Sequence, residues 1–231
     1  MRTAVPILPR MNDPITAAAP AVPRSLFVYA IIYGGMTVLA GMLGNKQVAL
    51  GPLAVEAGIF AFLMLVVLSS TVAQVHGRKA ADRLVFWGFL PLALSIALIF
   101  VVLQLPASPD MPPDRLNAFQ LMMGSTPRIM AAGPVAYGVS LFLNVWLFSA
   151  LRGKSEDSGG AFMLVRGAVA SALSQVVDTL IFITLAFYGE FPIRDLLVGQ
   201  MLAKVTLSIV LVPPLIALGV AIARRLDRAP S

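Results

Sequence analysis

Six stretches of about twenty apolar residues, separated by polar links, constrain this chain more than any other feature. They run over Leu26–Leu43, Leu53–Gln74, Leu84–Leu105, Ile129–Leu151, Phe162–Phe187 and Leu196–Ile222. Each is close to the ~20 residues an α-helix needs to cross the hydrocarbon core of a bilayer. No water is available there, so every backbone N–H and C=O must be satisfied within the segment, which favours helices. The expected fold is an all-α integral membrane protein with six transmembrane helices. The composition agrees: 58% of residues are hydrophobic and 12% charged, where a soluble domain has roughly 45–50% and 25%.

Three connections, Gly44–Pro52, Val75–Arg83 and Tyr188–Asp195, are short and predict antiparallel neighbours. The longer Pro106–Arg128 link carries five prolines, and its middle, Leu116–Met123, is expected to form a short interfacial helix. Residues 1–25 are rich in Pro and Ala, hold three arginines and contain no apolar core of signal-peptide type. They read as a disordered cytoplasmic tail. Residues 26–223 form the six-helix transmembrane domain, and 224–231 a short basic cytoplasmic tail.

The net charge of +6 does not point to nucleic acid, because the basic residues cluster at span ends. Arg2, Arg10 and Arg24 precede the first span, and Arg78, Lys79 and Arg83 follow the second. Arg152, Lys154 and Arg166 follow the fourth, and Arg224, Arg225 and Arg228 the sixth. These are twelve of the seventeen Lys and Arg residues, all on one side. The positive-inside rule therefore predicts a multi-pass protein with both termini in the cytoplasm.

Inside the spans, polar residues recur at helical spacing. Ser171, Ser174, Gln175 and Asp178 share one face of span five. Tyr137, Ser140 and Asn144 do so in span four, Gln200, Lys204 and Ser208 in span six, and Ser70 and Gln74 at the end of span two. A charge at membrane depth costs at least ~2.5–3.5 kcal/mol, so Asp178 needs a host. Asp178 and Lys204 are the ionisable residues expected deep in the spans, and their opposite signs would let spans five and six pair them. One reading is an ion pair with Ser and Gln side chains holding helices together. The other is a polar cavity shared by spans two, four, five and six, for which four polar faces are more than assembly needs.

Other polar residues read as peripheral. Asn45 and Lys46 close the first hairpin, with Glu56 entering span two close by, and could guard a site mouth or sit in a solvated turn. His76, the single histidine, reads as a surface residue. Pro213-Pro214 predicts a break in span six, since proline lacks an N–H and clashes with the preceding turn. The chain has no cysteine, no H-E-x-x-H zinc motif, no G-x-S-x-G elbow and no P-loop. It reads as neither an enzyme nor a cofactor or metal protein.

These motifs taken together resemble one family, the queuosine precursor (vitamin uptake-like) transporters. The resemblance runs through Gly44-Asn45-Lys46, the Gln74-Val75-His76-Gly77 end of span two, and Pro127-Arg128 before span four. It continues with Ala136-Tyr137, with Arg166 and Ser174-Gln175-x-x-Asp178-Thr179-x-x-Phe182, and with Gly199-Gln200, Lys204 and Pro213. The resemblance implies an inner-membrane importer of 7-deazaguanine bases (preQ0 and preQ1) used in tRNA modification. It implies a purine-like substrate held by Asp178, Gln175, Lys204, Asn144, Tyr137, Ser174, Gln200 and Phe182. Asn45, Lys46, Gln74, Arg128 and Arg166 are then gating or structural polar residues. The family pattern carries acids where this chain has Ser70, Gln74 and Asn144, which leaves Asp178 as the expected deep acid.

Two other functions fit the same sequence. One is the substrate-binding membrane subunit of an energy-coupling-factor-type importer for a vitamin-like or purine-like molecule, which needs an energising partner. The other is a membrane scaffold or assembly protein. The expected partners are the lipid bilayer and a small molecule, with a homo-oligomer or an energising module as the protein partner.

Overall fold

A computed structural model describes residues 22–150 and 160–228; within these, the side chains of Asn144, Arg166 and Ser171 fall outside the described residues. The element order is α1 (Arg24–Leu43), β1 (Gln47–Leu50), β2 (Leu53–Glu56), α2 (Gly58–His76), α3 (Arg78–Gln104), α4 (Pro113–Ala150), α5 (Gly160–Phe187), α6 (Arg194–Val210) and α7 (Val212–Arg228). Among the described residues, α1, α2 and α3 are each long and apolar enough to cross a membrane, and α6 with α7 makes a fourth, bent by 48°. The fourth and fifth expected spans fall on α4 and α5. The N-terminal tail expected over residues 1–25 lies largely outside the described residues.

The helices present apolar side chains outward. Phe86, Trp87, Leu94 and Leu98 of α3 are each more than 60% exposed, apolar surface suited to lipid rather than to water. Helices approach closely where a glycine removes a side chain. A methyl on Gly88 would overlap the Tyr33 ring, and one on Gly58 would overlap the Ala40 carbonyl. Small residues at contacts are how helices pack where lipid removes the hydrophobic drive between them.

Three differences from the sequence expectation matter for the site, and one expectation is met. Among the described residues the fold is all-α apart from one antiparallel hairpin over Gln47–Glu56, in which Gln47 pairs with Glu56 and Leu50 with Leu53. Gly51 turns it at φ +60°, a backbone position that favours glycine at the first place of a tight hairpin turn. Span two therefore begins at Gly58 rather than Leu53, and Leu53–Glu56 instead lies against α6 as a strand. The expected interfacial helix at 116–123 is the first part of the 38-residue α4. Span six breaks at Leu211, just before Pro213-Pro214, as proline chemistry predicts.

Three buried clusters hold the bundle. Tyr29, Tyr33, Leu68, Val72, Leu84 and Ala223 join α1, α2, α3 and α7. Val55, Ile59, Leu63, Val67, Ala203 and Val212 join the hairpin to α2, α6 and α7. Ile129, Ala132, Ile183, Phe187 and Leu196 join α4, α5 and α6.

At one end of the bundle the start of α1 meets the ends of α2 and α7. The Ser25 N–H donates to Asp227 Oδ1 at 2.9 Å and its hydroxyl to Oδ2 at 2.8 Å. The same hydroxyl lies 2.6 Å from His76 Nε2, and His76 is 3.7 Å from Asp227. His76 is thus a tie between helices rather than a surface residue, because α1 and α7 converge on it from distant parts of the sequence. At the opposite end, Asn45 Nδ2 donates to Thr126 Oγ1 at 2.8 Å and Asn45 Oδ1 accepts from the Ser125 hydroxyl at 2.6 Å.

Candidate functional site

Between these ends lies a cavity of about 140 Å³, walled by α1, β2, α2, α3, α4, α5 and α6. A cavity of ~150 Å³ accepts a benzene-sized ligand. The wall is mainly apolar and aromatic, with Tyr33, Phe62, Phe89, Tyr137 and Phe182, and its polar members include Thr37, Glu56, Ser69, Asp178 and Lys204. Few convergent polar groups in an aromatic concavity are the usual make-up of a small-molecule site.

The chemistry concentrates on Asp178. Its Oδ2 accepts from Lys204 Nζ at 2.8 Å, and the two side chains are 12% and 6% exposed. Its Oδ1 accepts from the Ser140 hydroxyl at 3.2 Å. The expected pairing of α5 with α6 is therefore made, and a residue from the α4 stripe joins it. Lys204 Nζ also stands 4.6 Å from the Phe62 ring centroid and 6.0 Å from that of Phe182, within the range where an aromatic face attracts a cation. Tyr137 and Phe89, both in the wall, lie 6.1 Å apart between ring centroids.

Glu56 is the residue that sequence reasoning missed. It is only 3% exposed and lines the same cavity, so Asp178 is not the single deep acid. Gln200 grips it twice: its Nε2 donates to Glu56 Oε1 at 2.9 Å, and its Oε1 accepts the Glu56 N–H at 3.1 Å. The Gly58 N–H, at the start of α2, donates to Glu56 Oε2 at 2.6 Å. In the sequence Glu56 stands at the edge of an apolar run and reads as a mouth residue. Only the hairpin, which folds β2 inward against α6, buries it.

The remaining sequence candidates divide. Tyr137, Phe182, Asp178 and Lys204 line the cavity, while Gln200 stands behind Glu56 as its clamp. Ser174 is buried and Gln175 half-buried on α5, the turn before Asp178, without contributing to the wall. On α2 it is Ser69 that faces the cavity, not Ser70, and Gln74 is exposed. Adjacent helix positions differ by a rotation of only about 100°, and hydropathy alone does not fix rotation. Lys46 is exposed, with its carbonyl accepting the Ala57 N–H at 2.8 Å. Arg128 caps the end of α5, its Nε donating to the Leu185 carbonyl at 2.6 Å and its Nη2 to the Tyr188 carbonyl at 2.7 Å, with Glu190 at 3.4 Å. Those contacts hold α4 to α5 away from the cavity. Asn144 and Arg166 lie outside the described side chains.

Among the described residues, no three His, Asp or Glu side chains are grouped to hold a metal ion. A family profile described as "Putative vitamin uptake transporter" matches residues 56–218. A Bacillus subtilis (strain 168) protein named "Probable queuosine precursor transporter" is 27% identical over 192 residues, covering 81% of this chain and 80% of that protein. No solved structure matches the chain.

Proposed function

The chain belongs to the vitamin uptake transporter family, and on that premise we propose that it imports queuosine precursors of the 7-deazaguanine type across the bacterial inner membrane. The observation that carries this reading is the buried Asp178–Lys204 pair opening on an aromatic cavity. A guanine-like edge has two adjacent N–H donors, and a carboxylate accepts both together in a charge-assisted, two-point contact. Its neighbouring carbonyl oxygen accepts from the Lys204 ammonium. The planar ring stacks on Tyr137, Phe62 or Phe182, a contact worth ~1–3 kcal/mol for a nucleobase on an aromatic side chain.

The expected topology has both termini in the cytoplasm. It is supported by the meeting of Ser25, His76 and Asp227 at one end, where Arg24, Arg78 and Arg228 also lie along the chain. On that orientation six spans cross the bilayer. Two-sided access to the cavity follows if the bundle opens alternately at the Ser25–His76–Asp227 end and at the hairpin end.

Uptake of a radiolabelled 7-deazaguanine base by a precursor-auxotrophic strain, with and without this chain, tests the reading. We expect accumulation that depends on the chain and is lost in Asp178→Asn. Wild-type uptake by a folded Asp178→Asn protein would remove the carboxylate from the mechanism. Uptake by the purified chain alone in proteoliposomes separates a self-sufficient importer from a subunit that needs an energising partner.

A further inference from the structure

Asp178 is already occupied on both oxygens, by Lys204 and by Ser140. A ligand that places two donors on this carboxylate must first displace the ammonium. Leaving Lys204 buried without a counter-charge would be prohibitive, since breaking a buried ion pair costs far more than the pair contributes. The cavity must therefore supply the lysine with a second host.

We infer that Glu56 is this second counter-ion: the Lys204 ammonium exchanges between Asp178 and Glu56, and the exchange frees Asp178 for substrate. Glu56 lines the same cavity as Lys204 and Asp178. Gln200, which holds it, lies four residues before Lys204 on α6. Residues so spaced have Cβ atoms ~5–6 Å apart, a distance that the flexible four-carbon stem of lysine can sweep. The Phe62 ring, 4.6 Å from Nζ, provides an attractive surface for the cation beside its present position. A carboxylate has about four acceptor sites, so Gln200 and the Gly58 N–H leave Glu56 room for an ammonium. Among the described wall residues, two acids then share one cation, Glu56 and Asp178 with Lys204.

The competing role is purely structural, with Glu56 serving only to fasten β2 to α6 through Gln200. Glu56→Gln separates the two. It keeps the shape and one acceptor oxygen for Gln200 while losing the charge and the contact to the Gly58 N–H. The separation therefore rests on whether K204M rescues the loss, which a fastening role would not produce.

The substrate half of this inference rests on the proposed import of a base with adjacent donors, whereas the exchange itself does not. The test is a thermal unfolding series on the purified full chain in detergent: wild type, E56Q, D178N, E56Q/D178N and E56Q/D178N/K204M. We expect each single change to lower the midpoint modestly, because one acid still hosts the lysine. The double change should lower it by at least twice the sum of the singles, and adding K204M should recover most of the loss. Additive singles, or a triple variant no better than the double, would overturn the exchange. In parallel, binding of a radiolabelled 7-deazaguanine base should be about tenfold weaker in E56Q, a change equivalent to about 1.4 kcal/mol. It should not weaken further when E56Q is added to K204M. Wild-type affinity in E56Q overturns the link to substrate. A wild-type protein that binds no such base removes the import reading alone, and the thermal series then decides the exchange by itself.

Discussion

Lys204→Met puts the site under the most direct stress. The side chains of the pair are 6% and 12% exposed and the contact is 2.8 Å, so screening by solvent is slight. Removing one partner of a buried pair typically costs about 3–5 kcal/mol, because the other charge is left uncompensated. Here the cost is felt twice, since Asp178 and Glu56 both face the cavity without a cation. Hydrogen bonds that merely join helices in a membrane average about 0.6 kcal/mol. The buried pair is therefore expected to count for several kcal/mol more than an ordinary contact between helices. With about 2–4 °C per kcal/mol for a chain of this size, Lys204→Met should lower the thermal midpoint by roughly 6–20 °C. The variant Asp178→Leu with Lys204→Met should recover only part of this, because exchanging a buried pair for apolar residues is often neutral but Glu56 still faces the cavity without a cation. It should nevertheless be inactive in uptake. Thermal unfolding in detergent and uptake in proteoliposomes measure the two properties separately. A Lys204→Met protein within about 2 °C of wild type would refute the buried-pair argument. A doubly substituted protein that still transports would refute the site.

Gly199→Ala should displace the hairpin, because the added methyl would overlap the Ala54 carbonyl where β2 crosses α6. Overpacking of this kind costs about 1–3 kcal/mol; a lower midpoint together with reduced uptake would show that the hairpin positions Glu56, and unchanged values would refute that role. Arg128→Ala should lose the cap on α5, formed with the Leu185 and Tyr188 carbonyls, at about 1–2 kcal/mol after discounting for its partial exposure. Lysine should restore only part of this, since an ammonium cannot reproduce the guanidinium fork; full rescue in a denaturation assay would contradict the forked geometry.

Much of this protein is legible in one dimension. Runs of twenty apolar residues have few solutions in lipid, because each must satisfy its own backbone, so the helices and their order follow from hydropathy. Pro213-Pro214 marks the break in the last span for an equally local reason, the missing N–H and the ring clash. The pairing of Asp178 with Lys204 is legible because two opposite charges in neighbouring apolar segments have few other hosts. The family resemblance rests on the same residues, with Tyr137, Asp178, Phe182 and Lys204 meeting at the cavity.

What the tertiary structure alone decides depends on rotation and on contacts between distant segments. The choice of Ser69 over Ser70 for the cavity wall is set by how α2 packs against its neighbours. His76 becomes a tie because Ser25 and Asp227, 202 residues apart, converge on it. Above all, Glu56 reads as a residue at a turn, since nothing local tells whether a short hairpin lies on the surface or folds inward. Gly199 leaves β2 the space to reach α6, Gln200 holds it there, and a second carboxylate is buried in the cavity that Lys204 lines. Burial is a property of the whole packing, and so the number of acids in the site could be counted only in three dimensions.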